Sequence, residues 1–262
     1  MAKVIVCAST KGGVSKTTTT VNLAAAVAER GYRVLLVDFD PQGHSSLALN
    51  IVTRDLPHTL SDVMMPDNKG ETVPIEKAIY KTNIENLHLA ASYLTLTLAN
   101  MALSGKVARE RVLAKELRKP EIENQYDFIF MDTNPATDIL LMNALAASDY
   151  LIGCSKSEFS SLDGVEMMLD QMQLLKDSGI NPTIKFLGVM VSQKRETKHD
   201  TDTMETLKKR YNILGCTTLN TKVNEAFREG IPAVIYAPKT TVSKEYRRIA
   251  DELIQKFETG EL

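Results

Sequence analysis

Residues 4–18 read Val4-Ile-Val-Cys-Ala-Ser-Thr-Lys-Gly-Gly-Val-Ser-Lys-Thr-Thr18, and this stretch decides the fold. Val4 to Ala8 is a short apolar run of the length expected of a buried strand. The run breaks at Gly12-Gly13, and Lys16-Thr17 then open a helix whose apolar positions are Val21, Ala24, Ala25 and Ala28. Strand, glycine loop and helix together form an anion cradle. Glycines let backbone N–H groups turn inward, the helix N-terminus favours negative charge, and a lysine adds a point charge. The expected phosphate contacts are Gly12, Gly13, Val14, Ser15, Lys16, Thr17 and Thr18.

The common form of this loop, G-x-x-x-x-G-K-[ST], does not fit, because Thr10 and Ser15 stand at its two glycine positions. The deviant form K-G-G-x-x-K-[ST]-[ST] does fit, with a second lysine, Lys11, five residues before Lys16. Outward from the loop, Val34-Leu-Leu-Val37 reads as another strand and ends in Asp38-Phe-Asp40-Pro-Gln-Gly43. An acidic residue at the carboxyl end of a parallel strand, beside a phosphate loop, is placed for catalysis or metal work. Tyr126-Asp-Phe-Ile-Phe-Met-Asp132 is a third hydrophobic run closing on an aspartate, the pattern of a Walker B strand. Cleaving a terminal phosphate needs charge neutralisation, Mg2+ and a positioned water, with little covalent work by the protein. Lys16 is the neutralising cation, Thr17, Asp40 and Asp132 are the expected magnesium residues, and Asp40 is also placed to orient the attacking water.

The rest of the chain supplies strands alternating with helices. Asn86–Ala91 reads as a strand, a long helical stretch follows from about Leu94 to Lys119, and Pro120 ends it. Helices are expected over roughly 138–147, 161–178, 200–211 and 242–257, with strands at Tyr150–Cys154, Phe186–Val191 and 213–218. Residues 44–80 are turn-rich and suggest short surface helices. The pattern predicts an α/β fold, a mostly parallel twisted sheet with helices on both faces, in one domain over residues 1–262.

Composition narrows the function. A net charge of −2 gives no global bias toward nucleic acid, so any DNA contact must come from local patches. No apolar stretch approaches the roughly 20 residues that span a bilayer, and the N-terminus enters a strand too soon for a signal peptide. Cys7, Cys154 and Cys216 are scattered and odd in number, as expected of small buried hydrophobes in a reducing cytoplasm. His44, His58, His88 and His199 lack metal-ligand spacing. The methionines within 162–175 fall at helical spacing and read as core packing. Basic residues gather in three places: Lys106, Arg109, Arg111, Lys115, Arg118 and Lys119; Lys194, Arg195, Lys198, Lys208, Lys209 and Arg210; and Lys239, Lys244, Arg247 and Arg248.

The loop and the Asp38–Gly43 segment resemble the ParA/MinD family of deviant Walker ATPases, whose second motif is D-x-D-P-Q-G. Asp132-Thr-Asn-Pro135 resembles the family's D-x-P-P, with Asn134 in place of the first proline. Glu158–Gly164 looks like the segment after its next strand. Asn220–Ala226 with Gly230-Ile-Pro232 resembles the stretch that borders the base and DNA surface in partition proteins. The resemblance implies ATP as substrate and a Lys11 that reaches a second subunit's nucleotide, so that a homodimer closes only when ATP fills both sites. It also implies Asn220 near the base, and non-specific DNA contact through Lys222, Lys244, Arg247 and Arg248. Within the family, the acidic tail Ile249–Leu262 argues against membrane attachment, and the isolated cysteines argue against a shared cluster. The partition branch remains: a cytoplasmic, nucleoid-associated ATPase stimulated by a ParB-type centromere-binding protein. Two alternatives stay open, a relative that positions a non-DNA cargo and a nucleotide-binding module with negligible turnover. The departure at Ser15 predicts either a loop that avoids positive φ or strain of about 1 kcal/mol or more.

Overall fold

The run that ends at Ala8 forms β1 (Lys3–Ala8), and neither of its faces meets water. Val4, Val6 and Ala8 belong to one buried cluster, while Ile5 and Cys7 belong to the cluster on the opposite side of the sheet. A strand covered on both faces reads as a continuous apolar run rather than an alternating one, which explains the sequence here. The computed structural model describes residues 1–158, 162–194 and 198–262.

In chain order the elements are β1, α1 (Lys16–Ala28), β2 (Val34–Phe39), α2 (His44–Leu47), α3 (Leu60–Met64), β3 (Ile79–Lys81), β4 (Leu87–Ala90), α4 (Ala99–Leu103), α5 (Val112–Leu117) and α6 (Pro120–Glu123). They continue with β5 (Phe128–Thr133), α7 (Ile139–Ala147), β6 (Tyr150–Lys156), α8 (Leu162–Asp177), β7 (Lys185–Lys194), α9 (Lys198–Arg210), β8 (Ile213–Thr218), α10 (Thr221–Arg228), α11 (Ala233–Tyr236) and α12 (Thr241–Thr259). The strands join in one eight-stranded sheet, ordered β3-β4-β2-β5-β1-β6-β7-β8. Every pairing is parallel except that of β3 with β4. Both faces carry helices: one core includes Leu140 and Leu145 of α7 with Met168 and Met172 of α8, the other Leu23 and Val27 of α1 with Ile249 and Leu253 of α12. The α/β expectation holds.

Four local expectations do not. The stretch from Leu94 to Lys119 is not one helix: 3-10 turns at Leu94–Leu98 and Arg109–Arg111 alternate with the short α4 and α5. The break falls at Ser104-Gly105, and Ala108 takes a left-handed backbone (φ 54°), which no helix interior accommodates. Pro120 does not terminate that stretch but opens α6, where its missing N–H costs nothing. The segment 44–80 also ends in a strand, β3, whose three half-exposed to exposed residues carry too little pattern to be seen. Finally, α1 is buried on more sides than its expected face, with Leu23, Ala26 and Val27 also fully enclosed. Of the segment matched at Glu158–Gly164, Phe159 to Ser161 lie outside the described residues.

Candidate functional site

The phosphate loop joins the carboxyl end of β1 to the N-terminus of α1, in the middle of the sheet. Gly13 takes φ 73°, and a Cβ added at Gly12 or Gly13 would meet nothing within 4 Å, so the loop's outer rim faces open space. Ser15, the N-cap position of α1, is left-handed at φ 64° and ψ 31°, so the strained alternative is the one adopted. Its hydroxyl does not cap the helix; it accepts a 2.9 Å hydrogen bond from Gln193 Nε2. Beside it, the Ser192 hydroxyl donates to the carbonyl of Val14 at 3.0 Å.

Lys16 is only 7% exposed, and its ammonium donates to the Lys11 carbonyl at 3.2 Å. Burial lowers its pKa, opposed by Cys154, Asp132 and Asp40 nearby. A partly dehydrated cation that leans on a carbonyl is ready for a stronger anionic partner. Lys11 lies half-buried against α8. A Cβ added at Gly164 would stand 3.2 Å from Ser9 Oγ and 3.3 Å from Lys11 Cβ, so the helix seats directly on the loop.

Three aspartates gather at the strand ends. Asp38 of β2 and Asp132 of β5 are in register across the sheet, and both are fully buried. Asp132 Oδ2 accepts from Ser45 Oγ at 2.9 Å, while its Oδ1 has no partner. Burial drives its pKa up to about 6, against the hydroxyls of Thr17 and Ser45 that favour the carboxylate. Asp38 Oδ2 accepts from the Ser46 amide and hydroxyl at 2.8 and 2.6 Å, and its Oδ1 is likewise unpartnered. Burial, then the charge of Asp132, pushes Asp38 up to about 8 even though the Ser46 bonds pull down. Asp40 lies just past β2 and accepts from the Gln42 amide at 2.9 Å. Among the described residues, no three His, Cys, Asp or Glu side chains are grouped to hold a metal. The orphaned, buried oxygen of Asp132, on a carboxylate beside the Thr17 hydroxyl, fits a magnesium ion that takes most of its shell from phosphate and water.

A polar cavity of about 160 Å³ adjoins the loop, lined by Ser15, Gln193, Thr217, Thr218, Asn220 and Tyr246 among others. Asn220 caps α10 by accepting from the Lys222 amide at 2.9 Å, which leaves its amide nitrogen for the cavity. Sequence reasoning thus assembles Gly12 to Thr18, Asp40, Asp132 and Asn220 around one region. It assigns no role to Asp38, Gln193, Ser192 or Ser45. Asp38 stands within a recognised motif, but only the sheet register shows that it faces Asp132.

The basic candidates are less available. Arg247 donates to both carboxylate oxygens of Glu29, at 2.8 and 2.9 Å, and to the carbonyls of Pro238 and Val234. It ties α12 to α1 and is a framework residue rather than a surface cation. Exposed Lys222 and Arg248 pair with Glu225 and Glu252, each at 2.6 Å, and Lys244 is exposed. The first basic group is not on one helix: Arg111 donates to the Gly179 carbonyl, Arg118 binds Glu123 and Asp149, and Lys119 binds Glu116. In the second, Arg195 and the Lys198 side chain lie outside the described residues, and Arg210 pairs with Glu166.

A family model described as an AAA domain matches residues 2–186. The sporulation initiation inhibitor protein Soj of Bacillus subtilis is 32% identical over 97% of this chain and 98% of its own. The chromosome partitioning protein ParA of Myxococcus xanthus is 28% identical over 98% of this chain and 89% of its own. A crystal structure of cobyrinic acid a,c-diamide synthase from Mycobacterium smegmatis, with bound ADP and magnesium, superposes with a TM-score of 0.82 at 28% identity, over 99% of this chain and 97% of that one. With its deviant lysine pair, its strand-end aspartates and these relatives, the chain belongs to the ParA/MinD family of ATPases.

Proposed function

We propose that this protein is an ATP-dependent partition ATPase whose ATP-bound homodimer holds non-specific DNA and lets go when a ParB-type partner stimulates hydrolysis. The observation that carries the chemistry is the buried Lys16 at the helix N-terminus, near enough to feel the charge of Asp132, which sits beside the Thr17 hydroxyl with one oxygen unpartnered. In this reading Gly12, Gly13, Val14, Ser15 and Thr18 cradle the phosphates through their backbone, and Lys16 neutralises the β- and γ-phosphates. Thr17 and Asp132 would hold Mg2+, which would neutralise phosphate charge, and Asp40 orients the attacking water. Lys11 serves the partner subunit's nucleotide, and Asn220 borders the base. Unstimulated turnover is on the order of 10⁻⁴ to 10⁻² per second, as for other nucleotide switches without their activator. Relatives named for chromosome partitioning and sporulation control support the DNA role, and Lys222, Lys244 and Arg248 are its proposed phosphate contacts. Arg247 is left out because its donors are already engaged.

No helix among the described residues is long and apolar enough to cross a membrane. The proposed location is the cytoplasm, on the nucleoid. The test is binding to a random-sequence duplex with ATP, ADP or no nucleotide, at two salt concentrations, with Lys16→Ala alongside. Binding that needs ATP, weakens with salt and vanishes in the variant supports the reading. Binding indifferent to nucleotide rejects the switch. No binding in any state favours a relative that positions a non-DNA cargo, a reading helped by the ion pairs that occupy Lys222 and Arg248. An ATP dimer trapped by Asp40→Ala, but not by the native chain, rejects an inert nucleotide binder.

A further inference from the structure

Serine at the start of a helix ordinarily takes an extended backbone and turns its hydroxyl onto the second or third helical amide. Ser15 does neither. Its backbone is left-handed and its hydroxyl is drawn away from α1 to Gln193, 178 residues later in the chain. Gln193 is itself left-handed, at φ 57°. It lies where the register between β7 and β8 shifts, between Val191 and Lys194. An irregularity of this kind re-aims a side chain out of the ladder, a device common beside functional sites. The residue before it, Ser192, is 2% exposed and bonds the carbonyl of Val14. Two consecutive residues at the end of β7 therefore grip two consecutive residues of the phosphate loop.

We infer that Gln193 is a positioning residue that keeps Ser15 from capping its own helix, so that the first amides of α1 stay open to an anion. A glycine at position 15 would need no such restraint, having neither a hydroxyl to compete for those amides nor a Cβ to strain the left-handed turn. Serine introduces both liabilities, and one hydrogen bond from Gln193 answers both. It holds the strained conformation, and it occupies the hydroxyl. Because Gln193 and Ser15 also line the same 160 Å³ cavity, the restraint sits where an entering nucleotide would meet it.

The inference rests on the nucleotide reading above, and the test separates the two. Gln193→Met keeps the volume and removes the donor. It is made in three backgrounds: native Ser15, Ser15→Gly and Ser15→Ala. ADP affinity in the presence of magnesium is measured by calorimetry, and amide exchange at Thr17 and Thr18 is followed by NMR without nucleotide. With Ser15 present, Gln193→Met weakens ADP binding about fivefold, the typical worth of one neutral hydrogen bond. It also slows exchange at Thr17 and Thr18, because the released hydroxyl now caps them. In the glycine and alanine backgrounds, where no hydroxyl is left to release, the same change alters affinity by less than about twofold and exchange not at all. An equal loss of affinity in all three backgrounds overturns the inference and makes Gln193 a direct nucleotide contact. Unchanged or faster exchange with Ser15 present also overturns it. If the native protein binds no ADP, the nucleotide reading fails, and the exchange measurement alone decides the role of Gln193.

Discussion

Asp38 and Asp132 sit opposite each other on adjacent strands, and each has one oxygen without a partner. Their raised pKa values, about 8 and about 6, mean that the native chain holds protons the unfolded chain has lost above about pH 4. Stability then falls as pH climbs from about 4 to 8, with the pair titrating jointly rather than as separate groups. Asp38→Asn keeps an acceptor for Ser46 and removes the larger titration. In urea denaturation of the nucleotide-free protein, the variant should be the more stable at pH 8, with the gap narrowing toward pH 5. Parallel pH profiles for the two proteins would refute this account. Lys16, Asp40 and Asp132 are legible in the sequence because each closes a local motif. Asp38 and Gln193 act through neighbours brought by the sheet, from 94 residues on in one case and 178 back in the other, and no local pattern encodes that.

At the scale of elements, the second departure from the family pattern has also acquired partners. Asn134 donates to Asp138 Oδ2 at 3.1 Å, and Asn100 of α4 donates to the same oxygen at 3.0 Å. The other oxygen of Asp138 accepts the amides of Leu140 and Leu141, capping α7. One carboxylate thus ties the loop after β5 to two helices. Asp138→Ala should lose about 1–2 kcal/mol in equilibrium unfolding, the worth of a strong N-cap, with further loss from the two stranded amides. Arg247 makes the contrasting case. Arg247→Ala should destabilise the fold by about 1–3 kcal/mol by untying α12 from α1, while the salt dependence of DNA binding stays as in the native protein. A changed salt slope would return Arg247 to the DNA surface. Strand and helix types are legible wherever burial imposes a long run, as in β1 and β5, or a regular stripe, as in α12. The stretch from Leu94 to Lys119 misleads because Leu, Ala, Lys and Glu favour helix on either side of Ser104-Gly105, while a left-handed Ala108 depends on the tertiary setting.

For the whole molecule, the proposed DNA contact is a matter of a few unburied charges. Lys222→Glu with Lys244→Glu should weaken ATP-dependent duplex binding for every sequence alike. It should also reduce the slope of log affinity against log salt by about 0.9 for each phosphate that is no longer neutralised. An unaltered slope would move the surface to Lys194, Lys208 and Lys209. The sheet and its helices can be foreseen from periodicity, whereas the face offered to a partner cannot, because ion pairs such as Arg210–Glu166 decide which charges remain available. The missing side chain at Gly164 has a mechanical meaning at this scale. With no methyl group as a spacer, Lys11 and the first turn of α8 pack directly against each other. A displacement of Lys11 would therefore press first on the end of a rod of 16 residues, roughly 24 Å long at 1.5 Å per residue. A probe near Asp177, at the far end of that rod, would test whether the state of the loop is felt there without touching the nucleotide.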